Sequence, residues 1–296
     1  DYLTVPSTTD FAFGTEDFTV EYWVKTPTPL GTPYGYCMAG GSTRISTVDR
    51  IDFDNDTATA VSKGSATEAK NRLGATSSLS YGYLGGGSPA GGVATSDVDR
   101  VDYASDTTTM SSKGPLSGSA YWRQATGNTS YGYFAGSYNV GNVTDRIDYS
   151  NDTATASPKG ALTSNRYATG MAGTTSYGYI AGGAPGIGTT KIDRIDYADD
   201  TATALAKGNL ANGRAKICAT GNGSYGYWMG GQNNDSIIDR IDYSSDTSTA
   251  LVKGELPSGA KFAAAATGNS NYGYYIGGNY PFAGPRVNVY RIDYSS

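Results

Sequence analysis

The chain repeats itself, and the repeat leaves few folds open. A segment reading Tyr177-Gly-Tyr-Ile-Ala-Gly-Gly183, a short loop, Ile192-Asp-Arg-Ile-Asp-Tyr197 and then Asp200-Thr-Ala-Thr203 recurs from near the start to the last residue. Its opening tyrosine falls at Tyr34, Tyr81, Tyr131, Tyr177, Tyr225 and Tyr272. Its arginine falls at Arg50, Arg100, Arg146, Arg194, Arg240 and Arg291, so by subtraction there are six copies spaced 46 to 51 residues apart. A unit of this length cannot bury its own faces and needs a neighbour on each side. That points to one closed array rather than to two independent domains.

Each copy divides into four strand-length pieces. The first, as in Arg214–Gly221 or Lys261–Gly268, is rich in Ala, Gly and Thr and suits strands crowded around an axis. The second is the aromatic Tyr-Gly-Tyr run, left through paired glycines that permit positive φ. In the third, period-two alternation puts Asp193, Ile195 and Tyr197 on one face and Ile192, Arg194 and Asp196 on the other. The fourth, Thr201–Leu205, follows a turn at Ala198–Asp200 and ends at Lys207-Gly208. Arginine to turn aspartate is 6 in every full copy and aspartate to lysine is 7, whereas the stretch from the paired glycines to the arginine runs from 9 to 13. Length variation is thus confined to the loops Gly87–Asp97, Ser137–Thr144, Ala184–Lys191, Gln232–Ile237 and Asn279–Asn288. With 41 glycines in 296 residues and no long helical periodicity, the chain is expected to be all-β, a six-bladed β-propeller with four antiparallel strands per blade.

The repeat resembles the kelch repeat. Arg166, Arg214 and Lys261 match its basic position on the first strand, Gly182-Gly183 its glycine pair, and Asp200 with Thr203 its turn. The tryptophan of that pattern is missing from every copy, and Asp-Tyr stands in the reverse order. The likeness covers about residues 30–296 and implies the same propeller.

Residues 1–30 form a separate N-terminal strand segment before the propeller of residues 31–296. Tyr2-Leu-Thr-Val-Pro6, Phe11-Ala-Phe-Gly14 and Asp17-Phe-Thr-Val-Glu-Tyr-Trp-Val24 resemble the start of laminin-G or concanavalin-A-like domains of phage and marine bacterial surface proteins. The last repeat ends after its third strand, and the first lacks an inner strand of its own kind. One reading makes residues 2–8 the missing outer strand and residues 17–25 the inner one, closing the ring and removing an open edge. The other makes the segment a remnant, or a linker docked on a second copy. The chain opens at Asp1, as a mature chain or a fragment would.

A net charge of −5 without a basic tract argues against nucleic-acid binding, and no apolar run is long enough for a membrane-spanning helix. Histidine is absent, which excludes a Ser-His-Asp triad and His-based metal sites, including the copper centre known on some kelch propellers. Cys37 and Cys218 sit in different parts of different repeats and read as small buried residues, not a bridge. The Asp-rich turns lack the central glycine of a calcium loop. No metal, cofactor or enzymatic activity is expected; carboxylate-based cleavage of a polysaccharide is the residual alternative.

Two groups of side chains stand out. Arg50, Arg100, Arg146, Arg194, Arg240 and Arg291, each with the aspartate two residues on (Asp52, Asp102, Asp148, Asp196, Asp242 and Asp293), recur in all six copies. A catalytic site is singular, so this set reads as a repeated interblade network, in which Arg194 and Asp196 share a face and can pair or hydrogen-bond to adjacent strands and the next blade. Lys63, Lys113, Lys159, Lys207 and Lys253 fall at the outer-to-inner turn and read as solubilising residues before glycine, with a ring of positive charge on the variable-loop face, able to attract acidic polysaccharide, as the alternative. The second group breaks the repeat: Tyr121, Trp122, Tyr138, Tyr280 and Phe282, with Asn139, Gln232, Asn233, Asn234 and Arg286 beside them. Aromatic faces next to amides suit sugar stacking and protein contact.

The composition and the N-terminal likeness point to a non-enzymatic binding or structural propeller on a virion or other extracellular surface, such as a phage tail fibre. Its expected partners are a cell-surface glycan or another surface protein, with homo-oligomerisation left open. The alternative from another class is an intracellular kelch-type adaptor.

Overall fold

The computed structural model describes residues 34–40, 44–232, 236–257, 262–280, 284–285 and 288–296. The repeats fold as six antiparallel blades arranged in a ring, so the expected architecture holds. Blade 2 runs Gly74–Ser77, Tyr81–Gly85, Val98–Asp102 and Ser111–Lys113, each strand paired with the next in chain order. Blade 3 is Gln124–Gly127, Tyr131–Ser137, Gly141–Asp148 and Ser157–Lys159, and blade 4 is Gly170–Gly173, Tyr177–Ala181, Thr189–Asp196 and Leu205–Arg214. Blade 5 is Cys218–Gly221, Tyr225–Met229, Ile237–Asp242 and Leu251–Glu255. Blade 1 contributes Tyr34–Gly40, Ile45–Asp52 and Val61–Asn71, and blade 6 Ala265–Gly268, Tyr272–Ile276 and Val289–Asp293. The segment 1–30, and with it the closing role of residues 2–8 and 17–25, lies outside the described residues.

Two sequence boundaries shift. Thr201–Ala204 belongs to the turn, and the outer strand starts at Leu205. The piece before each Tyr-Gly-Tyr run is not one strand either. Arg214 ends the outer strand of blade 4, the inner strand of blade 5 begins at Cys218, and Lys216 between them takes a left-handed backbone with φ of 56°.

Each blade packs on the next through a tyrosine pair. Tyr36 stacks on Tyr103 of the following blade at 4.9 Å between centroids, Tyr133 on Tyr197 at 4.5 Å, and Tyr227 on Tyr294 at 4.9 Å. Tyr274 of blade 6 stacks on Phe53 of blade 1 at 4.9 Å, which closes the ring through the repeats themselves. Cys37, Ile51 and Phe53 share one buried cluster with Ala265, Tyr274 and Ile276. Both cysteines are buried and free, as expected.

The recurring arginines also tie blade to blade, and not through the aspartate two residues on. Arg194 reaches past Asp196 to Asp246 of the next blade at 2.7 Å. The same oxygen accepts from Tyr179 at 2.9 Å, and Lys207 reaches the other oxygen at 3.2 Å. The pattern recurs at Asp106 with Arg50, at Asp152 with Arg100, at Asp200 with Arg146 and at Asp56 with Arg291. The same-strand carboxylates Asp52, Asp102, Asp148, Asp196, Asp242 and Asp293 each accept instead from the backbone N–H two residues on, capping the turn. The lysine ring is corrected as well. Lys113 and Lys159 lie on outer strands, and Lys63, Lys113, Lys159 and Lys207 neutralise the turn aspartates at 3.2–3.5 Å instead of ringing the variable-loop face.

The glycine after Lys63, Lys113, Lys159 and Lys207 has a packing reason. Gly160 N–H donates to Asp200 O at 2.8 Å, and a Cβ on Gly160 would collide with the backbone of Ala202 in the next blade's turn. A second set of three ion pairs is fully buried. Arg123 meets Asp145, Arg166 meets Asp193 at 2.6 Å, and Arg214 meets Asp239 at 2.9 Å. Such pairs fix geometry more surely than they add stability.

Candidate functional site

The end of the ring axis on the variable-loop side is built by one repeat position. Nine residues before each opening tyrosine from Tyr81 onward stand Arg72, Trp122, Ala168, Lys216 and Ala263. All five are left-handed, with φ of 59°, 59°, 53°, 56° and 54°. None is glycine, so each costs about 1–2 kcal/mol of backbone strain. The conformation turns the chain from the outer strand of one blade into the inner strand of the next. It also lines up a hoop of hydrogen bonds around the axis. Trp122 N–H donates to Arg72 O at 2.7 Å, Ala168 to Trp122 at 3.1 Å, Lys216 to Ala168 at 2.7 Å and Ala263 to Lys216 at 2.9 Å.

A cavity of about 400 Å³ opens above this hoop, lined by Arg72, Tyr121, Trp122, Tyr138, Tyr167 and Lys216, with Gln232 at its margin. Trp122 is buried and forms the floor between two cations. The Arg72 guanidinium lies 5.3 Å from its ring centroid and the Lys216 ammonium 5.4 Å. Tyr121 stacks on Tyr138 at 5.3 Å, and Tyr138 meets Tyr167 edge-on at 5.0 Å. Tyr138 is 57% exposed, so its outer face is free to take a ligand. Among the described residues no acidic side chain lines the cavity, and Arg72 Nε is buried without a hydrogen-bond partner. The other interior cations are paired with aspartates, which leaves this mouth locally positive on a chain of net charge −5.

Four residues singled out in the sequence, Tyr121, Trp122, Tyr138 and Gln232, come together here. Asn139 acts behind them. Its Nδ2 donates to Ser119 O at 2.6 Å and its Oδ1 accepts from Ser137 Oγ at 2.8 Å, which braces the loop carrying Tyr138. Gln232 Nε2 donates to Gly186 O at 3.1 Å and joins two variable loops. The backbone at Tyr280 pairs in a side hairpin, Asn279–Tyr280 with Gly284–Pro285. Asn233, Asn234, Phe282 and Arg286 lie outside the described residues. Arg72, Tyr167 and Lys216 escaped the sequence reading. Arg72 and Lys216 were legible as the members of the nine-before position that are neither aromatic nor alanine.

Among the described residues, no three His, Cys, Asp or Glu side chains gather as a metal site would require. Burial governs the buried phenols and pushes Tyr179 and Tyr274 well above the usual tyrosine range.

No family model matches the chain, and no curated protein matches it. A solved structure titled "Structure of YjhT" superposes with a TM-score of 0.74 over 96% of this chain and 95% of that one, at 10% identity. At that identity the likeness establishes the propeller fold and nothing narrower.

Proposed function

We propose that the chain is a non-enzymatic binding propeller of kelch type that holds a saccharide at the aromatic mouth of its axis, displayed on a virion or another extracellular surface. The observation that carries this reading is the cavity itself. It combines three accessible tyrosine faces, a tryptophan floor and two cations with no carboxylate beside them among the described residues. Sugar rings stack on such faces through their C–H edges, and the cations favour a saccharide bearing an acidic group. The N-terminal likeness to phage and marine surface proteins supports display outside a cell, with a phage tail fibre as the specific case.

A glycan array probed with the purified chain tests the reading. Selective binding to acidic glycans that is lost in Tyr138→Ala supports it. Binding that survives Tyr138→Ala, Arg72→Ala and Lys216→Ala together, or cleavage of any saccharide on the array, overturns it. Detection of the chain in purified particles tests the location.

A further inference from the structure

The two cations of the mouth stand across the ring from each other. Arg72 lies in the turn from the outer strand of blade 1 to the inner strand of blade 2, and Lys216 in the turn from blade 4 to blade 5. Those turns are three steps apart in a ring of six blades, which is half a circuit. The hoop marks the steps: Lys216 donates to Ala168, Ala168 to Trp122 and Trp122 to Arg72. Both side chains nonetheless reach the same indole. One charge sits 5.3 Å from the Trp122 ring centroid and the other 5.4 Å, so they are no further apart than those two lengths laid end to end.

Each cation is also held by a second ring. Arg72 lies 5.7 Å from the centroid of Tyr121, and Lys216 lies 5.0 Å from that of Phe262. Aromatic faces attract a cation and help to place it, but they carry no net charge to neutralise it. Among the described residues neither Arg72 nor Lys216 forms an ion pair, whereas Arg123, Arg166 and Arg214 meet Asp145, Asp193 and Asp239.

The two junctions between the cations carry the tyrosines. Tyr121 precedes Trp122 and Tyr167 precedes Ala168. Tyr138 joins them, stacked on the first and edge-on to the second. Around this half of the rim the order is therefore cation, aromatic arc, cation. Like charges held at this range repel each other. A ligand with one acidic group answers one of them and leaves the other. A ligand with two, spaced as the cations are, answers both and lays its uncharged part on the tyrosines.

We infer that the mouth is a two-point clamp that takes a linear acidic oligosaccharide by two acidic groups at once. Arg72 and Lys216 are the two points, and the tyrosine arc between them holds the sugar rings. This rests on the saccharide reading above and narrows it to polyuronates and multiply sulfated saccharides, because a sugar with a single acidic group cannot use both points. The second contact forms inside a complex already held by the first, so it adds affinity with no further loss of translational freedom.

Calorimetric titration of the full chain tests the clamp with two series of probes: galacturonate oligomers of one to four rings, and lactose carrying one or two sulfate groups. Affinity should rise at least about tenfold from the galacturonate monomer to the trimer, and likewise from one sulfate to two. Arg72→Ala and Lys216→Ala should each bring the longer probes down to the affinity of the monomer. The monomer itself should change by only about twofold, because one cation still serves it. Lys216→Arg should keep the preference for two charges. All three variants should melt with the wild type, since Ala168 and Ala263 already take the same left-handed turn. Equal affinity for one ring and for three, or a preference for the longer probes that survives either alanine substitution, would overturn the clamp and leave a site for a single acidic sugar. An equal gain across neutral maltose oligomers of the same lengths would assign the gain to the tyrosines and overturn it too. Binding of none of these probes, charged or neutral, would overturn the clamp together with the saccharide reading beneath it.

Discussion

Removing Asp246 isolates what holds one blade to the next. The carboxylate accepts from Tyr179 at 2.9 Å, Arg194 at 2.7 Å and Lys207 at 3.2 Å, and it is 8% exposed. Asp246→Ala strands a Tyr179 hydroxyl whose residue is 1% exposed, a loss of about 1–3 kcal/mol. It also leaves two cations without their anion. A fully buried pair would lose about 3–5 kcal/mol, but the Arg194 and Lys207 side chains keep 18% and 12% of their surface in water, so only part of that applies. The expected total is about 4 kcal/mol, or a drop of roughly 8–16 °C in a calorimetric melt. Asp246→Asn keeps an acceptor for Tyr179 and should lose about half as much. Asp196→Ala removes only an exposed turn cap and should lose no more than about 1 kcal/mol. The pH dependence follows from the same contacts. Burial raises the Asp246 pKa, but hydrogen bonds from Tyr179 and Lys207 and the charges of Arg194 and Lys207 outweigh it and hold the carboxyl below the usual range. A folded pKa below the unfolded value of about 3.9 means the contribution is complete above that pH and is lost as pH falls through the folded value. The gap between wild type and Asp246→Ala should therefore be full at neutral pH and shrink in acid. Equal losses for Asp246→Ala and Asp196→Ala, or an Asp246→Ala melt within about 1 °C of wild type, would refute the interblade reasoning.

Other outcomes follow from single contacts. Burial pushes the Asp49 carboxyl up to about 6, against a hydrogen bond from Ser62, so its ionisation works against the fold. Its contribution is present in acid and lost as pH rises from about 4 through about 6, and Asp49→Asn should raise the melting temperature at neutral pH while leaving it unchanged near pH 4. Gly160→Ala puts a Cβ into the backbone of Ala202 and should lower the melting temperature by several degrees, whereas Gly118→Ala, with open space at that point, should not. Arg72→Ala and Lys216→Ala should weaken acidic-glycan binding at least about tenfold in calorimetric titration, with melting temperatures unchanged, because Ala168 and Ala263 already take the same left-handed backbone.

The ring was legible because its determinants are periodic. Six tyrosine runs and six arginines fix blade number, strand order and the place of the variable loops. The partner of each arginine was not legible. Alternation within a strand puts Arg194 and Asp196 on one face, but Asp196 caps its own turn and Arg194 pairs with Asp246 of the next blade, a contact spanning 52 residues. The mouth was half legible. Trp122 and Tyr138 stand out as aromatics that break the repeat, whereas Arg72 and Lys216 look like ordinary basic residues until the left-handed turn places them over the axis. The boundary at Lys216 failed for the same reason, since nothing in Arg214–Gly221 announces a positive φ at a lysine.

The hydrogen-bonded hoop separates two kinds of inheritance in this chain. Its bonds run from main chain to main chain, so the same backbone turn accommodates an arginine, a tryptophan, a lysine and two alanines. Five side chains facing the axis can therefore be exchanged without renegotiating a blade. A lineage built on this ring could change what it captures one position at a time, with the wall of the cavity already paid for by the main chain.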